Sequence, residues 1–179
     1  MTISIEVLSK YKHNGNVFVE TGTYQGTTTQ AALDLGFKKI YTIELADHFY
    51  QNAIRKFARS PQVVCVFGDS TTKIKEVLNE LNESAVFWLD GHWSLGDTAR
   101  GDNAVPLYEE LDAIANHHIK THTILIDDLR LMGNLNEPIQ EWHSISIEET
   151  KRRCALINPN YKFSFENGYV PNDILVAQV

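Results

Sequence analysis

Six carboxylates and one imidazole are spaced so that they could act together: Glu20, Glu44, Asp69, Asp90, the pair Asp127-Asp128, and His92. Each acid follows a short apolar run, 17–19, 40–43, 63–67, 85–89 or 123–126. Runs of this length, rich in Val, Ile and Phe, read as buried strands. If the strands are parallel, all five tips share one edge of a sheet, with neighbours about 5 Å apart. Carboxylates that close repel one another unless something positive sits among them. A cationic cofactor, with or without a metal ion, would supply that charge. His92, two residues past Asp90, adds a group that accepts a proton at neutral pH.

The first of these runs turns into a glycine-containing loop, Glu20-Thr21-Gly22-Thr23-Tyr24-Gln25-Gly26. Gly22 lets backbone come close to a ligand and Gly26 opens a threonine-rich helix. The three-glycine dinucleotide fingerprint is absent, and no Gly-Lys-Ser/Thr follows, so neither a pyrophosphate nor a triphosphate loop is written here. The separation of Gly22 from Glu44 fits the roughly 20 residues between a glycine loop and the acid that grips ribose hydroxyls.

The elements that must position these groups alternate regularly. A helix is expected over residues 2–13 (Ile3, Val7, Leu8, Tyr11), ended by Asn14-Gly15-Asn16. After the strand 17–21, a helix over 26–35 is stopped by Gly36. After the strand 40–44, Asp47 caps a helix carrying Phe49, Ala53 and Phe57, and Pro61 ends it. A third strand, 63–67, precedes a helix with Ile74, Val77, Leu78 and Leu81 on one face, and a fourth spans 85–90. Residues 91–103 are polar, contain three glycines and lack periodicity, which marks a loop at the active edge. A helix over 104–117 then leads to the strand 123–128. Residues 129–145 are irregular, a modest helix covers 146–155, and strands at 161–165 and 174–177 close the chain. The expectation is an α/β, Rossmann-like fold: a mostly parallel seven-stranded sheet, helices on both faces, and a C-terminal antiparallel strand pair.

The loop 20–26 resembles the first motif of the class I S-adenosylmethionine (SAM) methyltransferases, and the likeness recurs at each strand end from Val17 to Asp128. That resemblance implies SAM as cofactor. It implies that Glu20, Thr21, Gly22, Thr23, Tyr24 and Gly26 line the methionine end, that Glu44 takes the ribose hydroxyls, and that Asp69 and Ser70 face the adenine. Asp90 would lie under the amine or sulfonium. The segments 87–93 (Phe-Trp-Leu-Asp-Gly-His-Trp) and 124–128 (Ile-Leu-Ile-Asp-Asp) are similar to the metal-dependent O-methyltransferases of the catechol and antibiotic-sugar types. By position, the Mg²⁺ ligands implied are Asp90, Asp127 and Asp128. Ser94 stands where the catechol enzymes place a lysine base, and Gly91 separates Asp90 from His92, so His92 is the candidate base, two residues past the metal-side acid Asp90, which is itself counted as catalytic. Trp93, Arg100 and Arg130 are candidates for holding the acceptor.

At 179 residues and 43% hydrophobic, the chain is expected to be a single domain over 1–179, with 1–16 as an N-terminal helical extension and 91–103 as the active-site loop. A net charge of −7 argues against nucleic acid as partner and favours a small-molecule acceptor. No signal peptide and no apolar run long enough for a membrane span is legible. The two cysteines are far apart, without a C-x-x-C pair, which fits a reducing, cytoplasmic setting. Oligomeric state is not encoded in any pattern; a homo-oligomer is compatible. The reading is a SAM-dependent methyltransferase acting on a sugar or phenol hydroxyl. Cephalosporin-hydroxylase-like proteins, which the resemblance places on the same fold, and a non-catalytic SAM-binding module are the alternatives.

Overall fold

The computed structural model describes residues 3–179. Its elements are α1 (Ile5–Tyr11), β1 (Val17–Thr21), α2 (Thr27–Asp34), β2 (Lys39–Glu44), α3 (Asp47–Lys56), β3 (Val63–Phe67), α4 (Ser70–Glu80), β4 (Ala85–Leu89), α5 (Leu107–Asn116), β5 (Thr123–Ile126), α6 (Ile147–Ile157), β6 (Lys162–Glu166) and β7 (Ile174–Gln178). The seven strands form one sheet in the order β3-β2-β1-β4-β5-β7-β6. The first five are parallel, and β7 runs antiparallel to both β5 and β6. This is the expected Rossmann-like α/β fold, a mostly parallel sheet closed by a C-terminal antiparallel strand pair.

Side-chain alternation along the strands builds two cores. Val17, Val19, Phe87, Leu89, Ile124 and Ile126 pack on the α4–α5–α6 side. Phe18, Val86, Trp88 and Leu125 pack on the α1–α2 side. Burial on both faces is what a parallel sheet covered by helices requires, and it explains why these strands read as continuous apolar runs.

Local chemistry sets the element ends. Gly36 takes a positive φ of 78° just after α2, and Phe37 N–H donates back to Ala32 O, closing the helix. Asp69 is the N-cap of α4, its carboxylate accepting from Thr71 N–H. Some expected boundaries shift. The start of the first helix at Thr2 lies outside the described residues, and α1 gives way to a 3₁₀ turn at Lys12–Asn14. Asp47 is the first residue of α3 rather than its cap, so it acts on the helix end through charge alone. α5 begins three residues later than expected, because Pro106 occupies its N-cap. The irregular stretch 129–145 holds two 3₁₀ turns, Leu129–Leu131 and Gln140–Ser144. Among the described residues no helix is long and apolar enough to cross a membrane.

Candidate active site

β1 delivers the chain into a loop whose geometry only glycine permits at its start. Gly22 has φ 84°, and a Cβ there would come within 2.2 Å of the Asp90 carbonyl oxygen. Gly22 N–H and Thr23 N–H both donate to Ile43 O, at 3.0 and 3.3 Å. Glu44, at the tip of β2, accepts from Tyr24 N–H at 2.8 Å and Ala46 N–H at 2.7 Å, one bond on each oxygen. Lys56 Nζ donates to Gly26 O at 2.8 Å and so ties the far end of the loop to α3. Above this loop lies a cavity of about 460 Å³, walled by Gly22, Thr23, Tyr24, Glu44, Asp69, Ser70 and Asp90, with Phe49 and Leu45 as apolar lining.

Three residues expected at the cofactor stand behind the wall instead. Glu20 is fully buried. Its Oε2 accepts from the Thr29 hydroxyl at 2.5 Å and the Thr42 hydroxyl at 2.7 Å, and Thr42 is in turn 2.5 Å from Thr23 Oγ1. Burial pushes its carboxyl up to about 7 against the lowering pull of those hydroxyls. Glu20 therefore props the loop from the α2 side. Thr21 accepts from Asp90 N–H through Oγ1 at 3.2 Å, fixing the β4 tip against β1. Gly26 serves as the left-handed N-cap of α2, φ 67°.

The loop 91–103 roofs the cavity. His92, Trp93, Ser94, Leu95 and Asp97 line it, and Gly101 crosses to the far wall, where a Cβ would fall 2.2 Å from Asp69 Oδ2. Trp93 N–H donates to Ala104 O at 2.8 Å and its ring N–H to Thr98 O at 3.2 Å. Arg100 does not reach the cavity; it pairs with Glu141 and lies over the Trp93 ring.

Beyond the Asp90 end of the cavity sits the acid cluster. His92 lies between two carboxylates, Nε2 3.1 Å from Asp128 Oδ2 and Nδ1 3.5 Å from Asp90 Oδ1. Ser94 Oγ also contacts Nε2 at 3.0 Å, and the ring packs edge-on against buried Trp142. Burial lowers the imidazole pKa against the raising effect of Asp128, which keeps the ring neutral near pH 7. Burial, then the Asp127 and Asp128 charges, pushes the Asp90 carboxyl well up, and burial with Asp128 brings Asp127 to about 7. Asp128 has φ 64°, a left-handed conformation that Asp tolerates at a cost typical of functional positions.

The three expected metal ligands do not converge as one set. Donor atoms of Asp90, His92 and Asp128 lie within 4.8 Å of one another, and so do those of Asp127, Asp128 and Asp173, with Asp128 common to both groups. Mutual repulsion among buried carboxylates, and hard oxygen donors joined by one imidazole, fit a divalent cation. Arg130 is drawn into the same cluster rather than toward the cavity, pairing with Asp128 and Asp173.

Two acids escaped the sequence reading. Glu110, 1% exposed, lies against Gly91, with Oε1 2.9 Å from where a Gly91 Cβ would be. Burial raises it to about 7, opposed by the Ser70 and Thr21 hydroxyls. Its signal was available: an acid on the apolar stripe Leu107, Leu111, Ile114. Asp173, also 1% exposed, precedes β7 and carried no such signal.

No protein-family model matches the chain, and no curated protein does. Solved structures do. An O-methyltransferase from Bacillus cereus in complex with S-adenosylhomocysteine (SAH) superposes at TM-score 0.63 with 13% identity, covering 98% of this chain and 78% of that one. A SAH-bound methyltransferase from Podospora anserina gives 0.62 at 14% identity, covering 97% and 75%. Spermidine synthase from Thermotoga maritima gives 0.56 at 14% identity, covering 92% and 54%. At these identities the likeness establishes the fold, and the spermidine synthase match illustrates that one fold serves more than one reaction.

Proposed function

We propose that this protein is a SAM-dependent methyltransferase that methylates a hydroxyl oxygen of a small acceptor such as a sugar or phenol. The observation that carries the reading is Glu44. Both its oxygens are held by backbone N–H groups at the mouth of the glycine loop, and each keeps a lone pair for a vicinal diol. The cavity beside it supports the reading: Asp69 and Ser70 wall the side assigned to the adenine, and Asp90 the side assigned to the positive amine and sulfonium.

The chain's own residues account for the chemistry. The Gly22–Tyr24 backbone and Glu44 bind and orient the cofactor, and the roof from His92 to Gly101 excludes water. The acceptor hydroxyl approaches from the acid-cluster end. Its proton passes to a ring nitrogen of neutral His92, and Asp90 and Asp128 on either side stabilise the imidazolium that forms. The oxygen lone pair attacks the methyl carbon in line as the carbon–sulfur bond breaks, leaving SAH. A divalent ion would be held by Asp90 and Asp128, with Asp127 behind them, and would supply extra acidity to the acceptor hydroxyl.

Calorimetric titration with SAH, in magnesium and again in chelator, tests the cofactor. Micromolar affinity supports the reading, and absence of binding in both buffers removes it. Incubation with methyl-labelled SAM and a panel of sugars and phenols then tests the reaction. Product mass separates methylation from hydroxylation.

A further inference from the structure

The acid cluster already contains a cation. Arg130 Nη1 bonds both Asp128 Oδ1 and Asp173 Oδ2, while the Arg130 backbone N–H donates to Asp173 Oδ1 at 2.9 Å. Leu129 N–H donates to Asp173 O at 3.0 Å, so the segment leaving β5 and the segment entering β7 are clamped together. The Tyr169 ring lies 4.7 Å from the guanidinium carbon. Asp128 and Asp173 are almost fully buried, and the Arg130 side chain, 27% exposed, lies between them.

This arrangement divides Asp128 in two. Oδ1 is committed to Arg130, and Oδ2 faces His92. Any divalent ion bound between Asp90 and Asp128 would share Asp128 with a positive charge that cannot be titrated away. Guanidinium and ion would then stand a few ångströms apart in a poorly solvated site, where like charges repel strongly. The attraction that Asp128 offers the ion is partly spent on Arg130.

We propose that Arg130, positioned by Asp173 and Tyr169, is the resident counter-ion of the acid cluster and sets its affinity for divalent cations by competing for Asp128. This rests on the reading of the cluster as the catalytic end of the site. It gives Arg130 a role other than gripping the acceptor, which its absence from the cavity wall already disfavours.

The test is a Mn²⁺ titration of the full chain followed by electron paramagnetic resonance, with SAH calorimetry in parallel. Arg130→Gln is expected to bind Mn²⁺ about 10- to 100-fold more tightly than the parent. Arg130→Lys, which retains the charge, is expected to stay within about threefold of it. Because Arg130→Gln leaves the buried Asp173 carboxylate without its guanidinium partner, a destabilising change, the double variant Arg130→Gln/Asp173→Asn removes both charges together. It too is expected to bind Mn²⁺ more tightly than the parent. Equal or weaker Mn²⁺ binding in a folded variant lacking Arg130 overturns the proposal, as does undetectable Mn²⁺ binding in every protein. Failure of SAH to bind the parent would instead overturn the functional reading, while the competition between Arg130 and Mn²⁺ would still be read.

Discussion

At the N-terminal ends of β4 and β5, His122 Nδ1 accepts from Ala85 N–H at 3.1 Å, and its Nε2 stands 3.0 Å from His117 Nδ1. The Ala85 bond requires an unprotonated Nδ1, so neutral His122 carries its hydrogen on Nε2 and donates it to His117, whose own hydrogen is then on Nε2. The basic side chains facing the pair are His118 and Lys120, and both histidines of the pair have lowered pKa values, through burial first, with His122 at about 4. At the C-terminal ends of the same strands the opposite holds. Asp90, Asp127, Asp128 and Asp173 are gathered with Arg130 pairing Asp128 and Asp173 and with neutral His92 lying between Asp90 and Asp128. One end buries its ionisable groups as a neutral, mutually bonded pair, and the other crowds carboxyls together, so that burial and mutual repulsion push Asp90 and Asp127 up. The second arrangement gains nothing for folding, which is the ground for placing the candidate site at that end.

Variants can break this contrast, beginning with the largest effect. His92→Gln removes the proton acceptor and is expected to reduce methyl transfer about 100-fold or more, with SAH affinity nearly unchanged, read by single-turnover rates and calorimetry. Glu44→Gln replaces a carboxylate held by two N–H groups with an amide that must turn a donor toward one of them. SAH binding should weaken about 10- to 50-fold.

The histidine end gives a pH signature. Because folding depresses both pKa values, its contribution is present above pH 6.5 and lost as pH falls toward 4. Between these limits His122 alone accounts for about 1–3 kcal/mol. His122→Asn keeps an acceptor for Ala85 N–H and should flatten that acid-side loss in urea unfolding curves. A loss as steep as the parent's would show that the histidine pair is not its source.

Glu20 supplies the converse on the site side. Its folded pKa is raised to about 7, so its contribution is present below its ordinary value of 4.5 and lost as pH rises through 7. Glu20→Gln should therefore gain stability relative to the parent between pH 5 and pH 8, by about 1 kcal/mol or more. The smallest effect is expected from Gly101→Ala. Its methyl group would push Asp69 aside and weaken SAH binding by a few-fold, leaving the melting temperature within about 2 °C.

Much of the frame was legible. Strands buried on both faces are written as apolar runs, and the acids follow at their ends because the chain leaves the sheet there for solvent and ligand. The orientation of individual side chains was less so. Glu20 and Thr21 are neighbours on one strand and so point to opposite faces; the acid that looked like a cofactor contact faces α2, and the threonine faces the β4 tip. Likewise Asp127 and Asp128 read as a pair, yet Asp128 turns through a left-handed φ and joins Asp90 and His92, while Asp127 looks toward Asp173.

The sequence by itself determined the strand–helix alternation, the glycine loop and the row of acids, because each is set by local periodicity, by a backbone conformation only glycine adopts, or by where a strand stops. The tertiary structure alone decided which acids share a cation. Arg130 and Asp173 lie 43 residues apart, and only the return of β7 beside β5 brings them together. Charge pairing across such a distance in sequence leaves no local pattern, since its energy comes from burial and proximity that the chain acquires on folding.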